Sequence, residues 1–157
     1  MRTIHHSAIC VSDVDASLRF WRDGLGFEVL MDQRFEGDWP TLLHAPTRSL
    51  RALFLGDPSN RESGIVELLD LGQVADRPSS TAGSASTGFL LLSVMTDLNV
   101  VLDRLSSLGL GGEHRKIAVS GVAMAVVTDP DGVLVELVDS GAASNLERLA
   151  EPVSRAK

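Results

Sequence analysis

The chain has 157 residues, room for one domain or for two small modules that share a core. Apolar residues make up 44% and charged residues 22%, the balance of a folded globular protein and not of a disordered one. A formal charge of −7, with the basic residues scattered singly or in pairs, argues against nucleic acid as a partner. The single cysteine, Cys10, excludes an internal disulfide, and the opening MRTIHHSAIC has no long apolar core of the secretory kind, so a cytoplasmic location is expected. The longest apolar runs, such as FLLL at 89–92, are far too short to span a bilayer.

Residues 3–11 read as a strand, after which Ser12 or Asp13 caps a helix with Val14, Leu18, Trp21 and Leu25 on one apolar stripe. Gly24 and Gly26 end that helix, and 27–31 resumes a strand pattern. Residues 37–47 hold Pro40 and Pro46 and read as an irregular excursion with one short strand at most. Strands follow at 50–55 and 65–69. The polar, small-residue stretch 72–87 is read as a flexible connection.

Beyond it the same order returns. A strand at 89–95 leads to an Asp97 cap and a helix with Leu98, Val101, Leu102 and Leu105 inward, closed by Gly109, Gly111 and Gly112. Strands run through Ile117 and Ala118 and over 124–127, and Asp129, Pro130, Asp131 and Gly132 form a turn into a strand at 133–138. The letters repeat as well: GIVELLD at 64–70 answers GVLVELVD at 132–139. The expected organisation is one domain over 1–140, with module 1 at 3–71, a linker at 72–87, module 2 at 88–139 and a pseudo-twofold relation between modules. A helix around Leu146, Leu149 and Val153 and a tail would fill 141–157.

Strand alternation sets His6, Ala8 and Cys10 on one face and Ile9 and Val11 on the other, the helix-packing side. Glu67 shares a face with Ile65 and Leu69, and Glu136 with Leu134 and Val138. A glutamate among apolar neighbours calls for a positive partner or a hydrogen-bond donor, and a divalent metal is one such partner. The bland alternatives are a backbone-bonded strand histidine for His6 and solvent-facing rim positions for the two glutamates. His5 reads as a surface residue, His44 and His114 as exposed histidines and not ligands, and Cys10 as a small pocket-lining residue and not a nucleophile.

The segments IHHSAICVSD (4–13) and SLRFWRDGLGF (17–27), with DPDG (129–132) followed by Glu136 and Leu137, resemble the opening and closing motifs of the vicinal oxygen chelate superfamily, which spans glyoxalases, bleomycin-resistance proteins, methylmalonyl-CoA epimerases and extradiol dioxygenases. The resemblance covers about residues 3–139. It implies an α+β fold of two βαβββ modules whose cupped half-barrel sheets bring four metal ligands together, one from the first and one from the last strand of each module. His6, Glu67 and Glu136 match the first, second and fourth ligand positions, and Leu90 stands at the third, with Phe89 or Leu91 as the alternatives one residue either way.

The leading reading that follows is a metal-dependent isomerase, epimerase or lyase acting on a small carbonyl or acyl compound through an enolate, with Glu67 or Glu136 moving the proton. The donor set suits Mg²⁺, Mn²⁺, Co²⁺, Ni²⁺ or Zn²⁺. The alternative is a metal-free protein that sequesters an antibiotic or another hydrophobic small molecule, which the leucine at the third position favours. A ring-cleaving dioxygenase ranks third, because its iron wants a second histidine. A homodimer is expected from the resemblance and from the exposed edges of open sheets.

Overall fold

The computed structural model describes residues 2–75, 85, 87–119 and 121–142. The chain divides after residue 86 into two compact units. The linker expected at 72–87 falls largely outside the described residues, as does the C-terminal helix expected around Leu146, Leu149 and Val153.

The first unit runs β1 (His6–Cys10), a helix α1 (Val14–Leu18) that continues as a π-wound turn (Arg19–Gly24), β2 (Glu28–Glu36), a short helix α2 (Trp39–Leu43), β3 (Ser49–Gly56) and β4 (Ile65–Asp70). Its sheet has the order β1-β4-β3-β2, with β1 parallel to β4 and the other pairs antiparallel. The second unit repeats the plan: β5 (Leu92–Thr96), α3 (Leu98–Ser107), β6 (Arg115–Val119), β7 (Val122–Thr128) and β8 (Leu134–Asp139), in the order β5-β8-β7-β6 with β5 parallel to β8. Two four-stranded mixed sheets with few helices make this an α+β fold of two βαβββ modules. A parallel pair cannot be closed by a hairpin, so each module needs its helix as the crossover between its first strand and the rest.

Local signals explain most of the element ends. Asp13, not Ser12, caps α1: its Oδ1 accepts from the backbone N–H groups of Asp15 (2.9 Å) and Ala16 (3.0 Å). Asp97 caps α3 through the N–H of Val100 at 3.2 Å. Gly26, at φ +88°, takes the left-handed conformation needed to leave the first helix. In the β7–β8 turn Asp129 is buried, and its Oδ1 accepts from the N–H groups of Asp131 (2.9 Å) and Val133 (2.8 Å). Gly132 completes that turn at φ +82°.

The excursion over 37–47 contains the helix α2 and no strand. Pro40 sits in the first turn of α2, where a missing N–H does no harm, and His44 closes it at φ +54°. The second strand runs on to Glu36, five residues beyond the expected end, because its pairing with β3 persists as far as Ser49. In the second unit the first strand begins at Leu92 and not at residue 89, where parallel pairing with Val135 starts.

Each sheet buries one face beneath its helix. Ile9, Val11, Leu53, Leu55, Val66 and Leu68 line that side in the first unit, and α1 lies against β4. In the second unit Leu98, Val101, Leu102 and Leu105, the whole expected stripe, are buried with Ala125, Val127, Val135 and Leu137. The first helix departs from its expected stripe. The N–H of Leu25 donates to the carbonyl of Phe20 at 2.9 Å, an i to i−5 bond, and the wider turn carries both Phe20 and Trp21 inward. Ser17 is buried beside them, while Val14 and Leu18 are only half-buried.

Trp21 is fully enclosed, with edge-to-face contacts to Phe20 (ring centroids 5.3 Å) and Phe27 (5.8 Å). Trp21→Ala is therefore expected to cost about 3–5 kcal/mol. Thermal melts should show a fall on the order of 10 °C, and an unchanged melting temperature would contradict this packing.

Candidate functional site

The face of each sheet turned away from its helix carries the polar groups. In the first unit the register pairs Ala8 with Glu67 and His6 with Ile65, so His6 stands one step diagonal to Glu67 on the same side. Ala8 has too little side chain to intervene. His6 Nε2 lies 3.2 Å from Glu67 Oε2, the glutamate side chain being 13% exposed and the histidine 38%. Burial raises the Glu67 pKa above its ordinary value, with nearby His6 and His5 opposing that shift and not cancelling it.

Phe54 is directly across from Glu67 on β3, and its ring packs on His6 with centroids 5.4 Å apart. A register shift between Val29 and Met31 leaves Leu30 as the extra residue of a bulge and brings Met31 opposite Phe54. Arg61 Nη2 donates to the carbonyl of Leu30 at 3.0 Å. The bulge thereby sets Met31 beside Phe54 on the face of His6 and Glu67.

His5 belongs to this group as well. It is exposed, as its surface reading requires, yet its Nδ1 lies 2.8 Å from His6 Nδ1. The two rings meet edge-on at 5.1 Å, and Phe54 is 6.0 Å from His5. Strand alternation would have sent the His5 side chain to the opposite face. However, His5 precedes the first paired residue of β1 and is not bound by that alternation. The consecutive histidines at a strand start were the only mark of this contact in the sequence.

In the second unit Glu136 pairs across β5 with Ser93, as Glu67 pairs with Ala8. Ser93 Oγ donates to Glu136 Oε2 at 2.8 Å, so this carboxylate already has a hydrogen-bond donor. Counting two residues back from Ser93, as His6 lies two back from Ala8, the counterpart of His6 is Leu91. Leu90, taken from the sequence as the third ligand position, is off by one. The parallel pairing sets the register, and a shift of one residue moves a side chain to the other face. The substitution of a ligand by leucine stands either way.

Met95 and Ile117, both exposed, lie on the same side as Glu136, next to Val138 and Met124 in register. Cys10 is exposed, two alternations along from His6. His44 serves as the left-handed cap of α2, and His114 is exposed ahead of β6. Among the described residues no three histidine, cysteine or acidic side chains gather as a metal-binding group. His6 and Glu67 form a pair of metal-type donors in the first unit, and Glu136 stands with Ser93 in the second. None of the helices over the described residues is long and apolar enough to cross a membrane.

The model of the Glyoxalase/Bleomycin resistance protein/Dioxygenase superfamily matches residues 3–137. The chain belongs to that superfamily. A lactoylglutathione lyase-like protein of Aspergillus terreus is 35% identical over 145 residues, which cover 86% of this chain and 74% of that one. Among solved structures, the trypanothione-dependent glyoxalase I of Leishmania major aligns with a TM-score of 0.63 at 23% identity, over 90% of this chain and 88% of its own. An antibiotic-binding protein of a Streptomyces species aligns with a TM-score of 0.59 at 19% identity, over 88% and 96%. At these identities both structures speak for the fold alone. The superfamily thus contains both a glyoxalase and a binding protein on one scaffold, and the residues on the open faces must distinguish them.

The position of Glu67 has a consequence for stability. Its pKa is raised in the folded state, so folding binds its proton more tightly and disfavours the ionised form. That cost is fully present above the folded-state pKa and disappears as pH falls below the ordinary glutamate value of about 4.3. In chelator, Glu67→Gln should therefore melt higher than the parent at pH 7–8, with the difference shrinking toward pH 4. A variant less stable than the parent across that whole range would contradict the burial-driven shift.

Proposed function

We propose that this protein is a divalent-metal-dependent isomerase, epimerase or lyase that moves a proton next to the carbonyl of a small carbonyl or acyl compound, through an enolate of the substrate. The observation that supports this reading is the pairing of His6 with a half-buried, proton-hungry Glu67 on an open sheet face. One nitrogen and one carboxylate donor, 3.2 Å apart, fit a hard or borderline divalent cation such as Mg²⁺, Mn²⁺, Co²⁺, Ni²⁺ or Zn²⁺. Glu136, at the corresponding register position of the second unit, is proposed as the third ligand. When bound, the ion would supply the Lewis acidity that makes a proton beside a carbonyl removable.

The chain's own groups would do the rest. Glu67, a stronger base than an exposed carboxylate, accepts the proton from carbon and returns it to a neighbouring atom of the enolate, so that it ends each cycle ionised. Glu136, held by the Ser93 hydroxyl, is the alternative carrier. Phe54 and Met31 border Glu67 with apolar surface that keeps water from competing for the proton. The lactoylglutathione lyase-like relative supports the lyase branch of this reading.

A second reading, metal-free binding of a hydrophobic small molecule, is favoured by one observation: Leu91 occupies the counterpart of His6, and Met95 and Ile117 add apolar surface on the same side. The same leucine weakens the case for a ring-cleaving dioxygenase. The proposal extends to a cytoplasmic homodimer, from the lone cysteine and the open sheet edges. Light scattering at tens of micromolar protein should report twice the chain mass, and a strict monomer would remove the dimer.

Calorimetric titration of chelator-treated protein with Mg²⁺, Mn²⁺, Co²⁺, Ni²⁺ and Zn²⁺ tests the central claim. At least one ion should bind more tightly than about millimolar. His6→Ala, Glu67→Ala and Glu136→Ala should each abolish most of that affinity, and pairs of these changes should cost little more than one, because ligands of a single ion act as a unit. At an ion concentration a hundredfold above Kd the parent should gain about 2.7 kcal/mol, a gain that chelator removes and His6→Ala lacks. No binding by any ion would leave sequestration as the surviving reading.

A further inference from the structure

The contact between His5 and His6 constrains where their ring protons sit. A neutral imidazole carries one N–H and one acceptor nitrogen. A carboxylate facing His6 Nε2 at 3.2 Å only accepts, so the His6 proton lies on Nε2, and its Nδ1 is left as an acceptor. The 2.8 Å contact between the two Nδ1 atoms then requires His5 to donate from Nδ1. If His6 Nε2 gives its lone pair to a cation, the assignment inverts. The His6 proton must sit on Nδ1, and the contact persists only if His5 accepts there and carries its own proton on Nε2.

We propose that His5 is a positioning residue for His6, whose hydrogen bond reverses direction, without breaking, when His6 takes up a divalent cation. This rests on the metal-dependent reading above. The proton count balances: each ring begins and ends with one proton. His6 gains the proton of His5 at Nδ1 and releases its own from Nε2, while His5 takes one at Nε2. Both residues are open enough to solvent for that exchange.

Three observations hold the geometry ready. The backbone carbonyl of His5 accepts from the N–H of Ile65 at 3.3 Å, which ties His5 to β4 beside Glu67. Phe54 packs against both rings. The edge-on meeting of the histidines, at 84°, leaves their Nδ1 atoms in reach of one another. A metal-bound histidine whose other nitrogen is held in this way keeps its orientation and basicity, and losing such a partner typically weakens binding 10- to 100-fold.

Zinc, which is diamagnetic, serves as the probe. At about pH 8, where ordinary histidines are neutral, nitrogen-15 spectra of the parent in chelator should show His6 protonated at Nε2 and His5 at Nδ1. Both assignments should exchange on saturation with Zn²⁺. His5→Phe keeps a ring but no nitrogen, and its Zn²⁺ affinity should fall about tenfold or more. His5→Asn can donate or accept near the same point and should stay within about threefold of the parent.

Unchanged tautomers in the zinc-saturated parent, or parental affinity in His5→Phe, would overturn the inference. If His5→Phe fails to fold, the tautomers of the parent and the affinity of His5→Asn still decide. Failure of the functional reading looks different: the parent and His6→Ala would then both fail to bind zinc, and the role of His5 would fall with it.

Discussion

The parallel pairing of first and last strand in each module is the constraint on which the rest depends. It forces a helical crossover, and that crossover covers one face of the sheet with apolar side chains. The other face is left for polar groups from two strands far apart in the chain. In the first unit sixty-odd residues separate His6 from Glu67, yet the pairing of Ala8 with Glu67 brings their side chains to 3.2 Å. A slip of one residue in either strand would turn one of the two toward the core.

The two units share this plan and differ in what they put on it. On the first, a small residue, Ala8, leaves room for His6 to reach a carboxylate whose burial disfavours its charge. On the second, Ser93 satisfies Glu136 directly, and a leucine stands where the histidine would be. The duplicated scaffold therefore holds one face with an unusually basic carboxylate and one face of apolar side chains around a hydrogen-bonded carboxylate. A buried carboxylate that lacks a strong cationic partner works against folding, and it is tolerated where its chemistry is used. That tension between stability and chemistry is concentrated at Glu67.

Much of the architecture could be read locally. Asp97 followed by Leu98, Val101, Leu102 and Leu105 is a cap and a stripe, and both are present as read. Alternation along residues 6–11 separated Ile9 and Val11 from His6, and burial separates them in the same way. The duplicated GIVELLD and GVLVELVD segments mark β4 and β8, the strands that carry Glu67 and Glu136. These features depend on spacing of a few residues, which the one-dimensional string preserves.

What escaped depends on partners distant in the chain. The inward placement of Phe20 follows from an i to i−5 bond that no 3.6-residue periodicity anticipates. Leu91 replaces Leu90 because pairing with β8 sets the count along β5, and no propensity of three consecutive leucines could choose among them. His5 joins His6 because it lies just outside the paired strand. The letters alone determined the module order, the caps, the buried stripes and the facing of His6 and Glu67, since each is a matter of local period. Only the tertiary structure decided register, the helix bulge and the His5 contact, because a hydrogen-bond ladder between strands sixty residues apart is an energy of pairing and not of sequence neighbourhood.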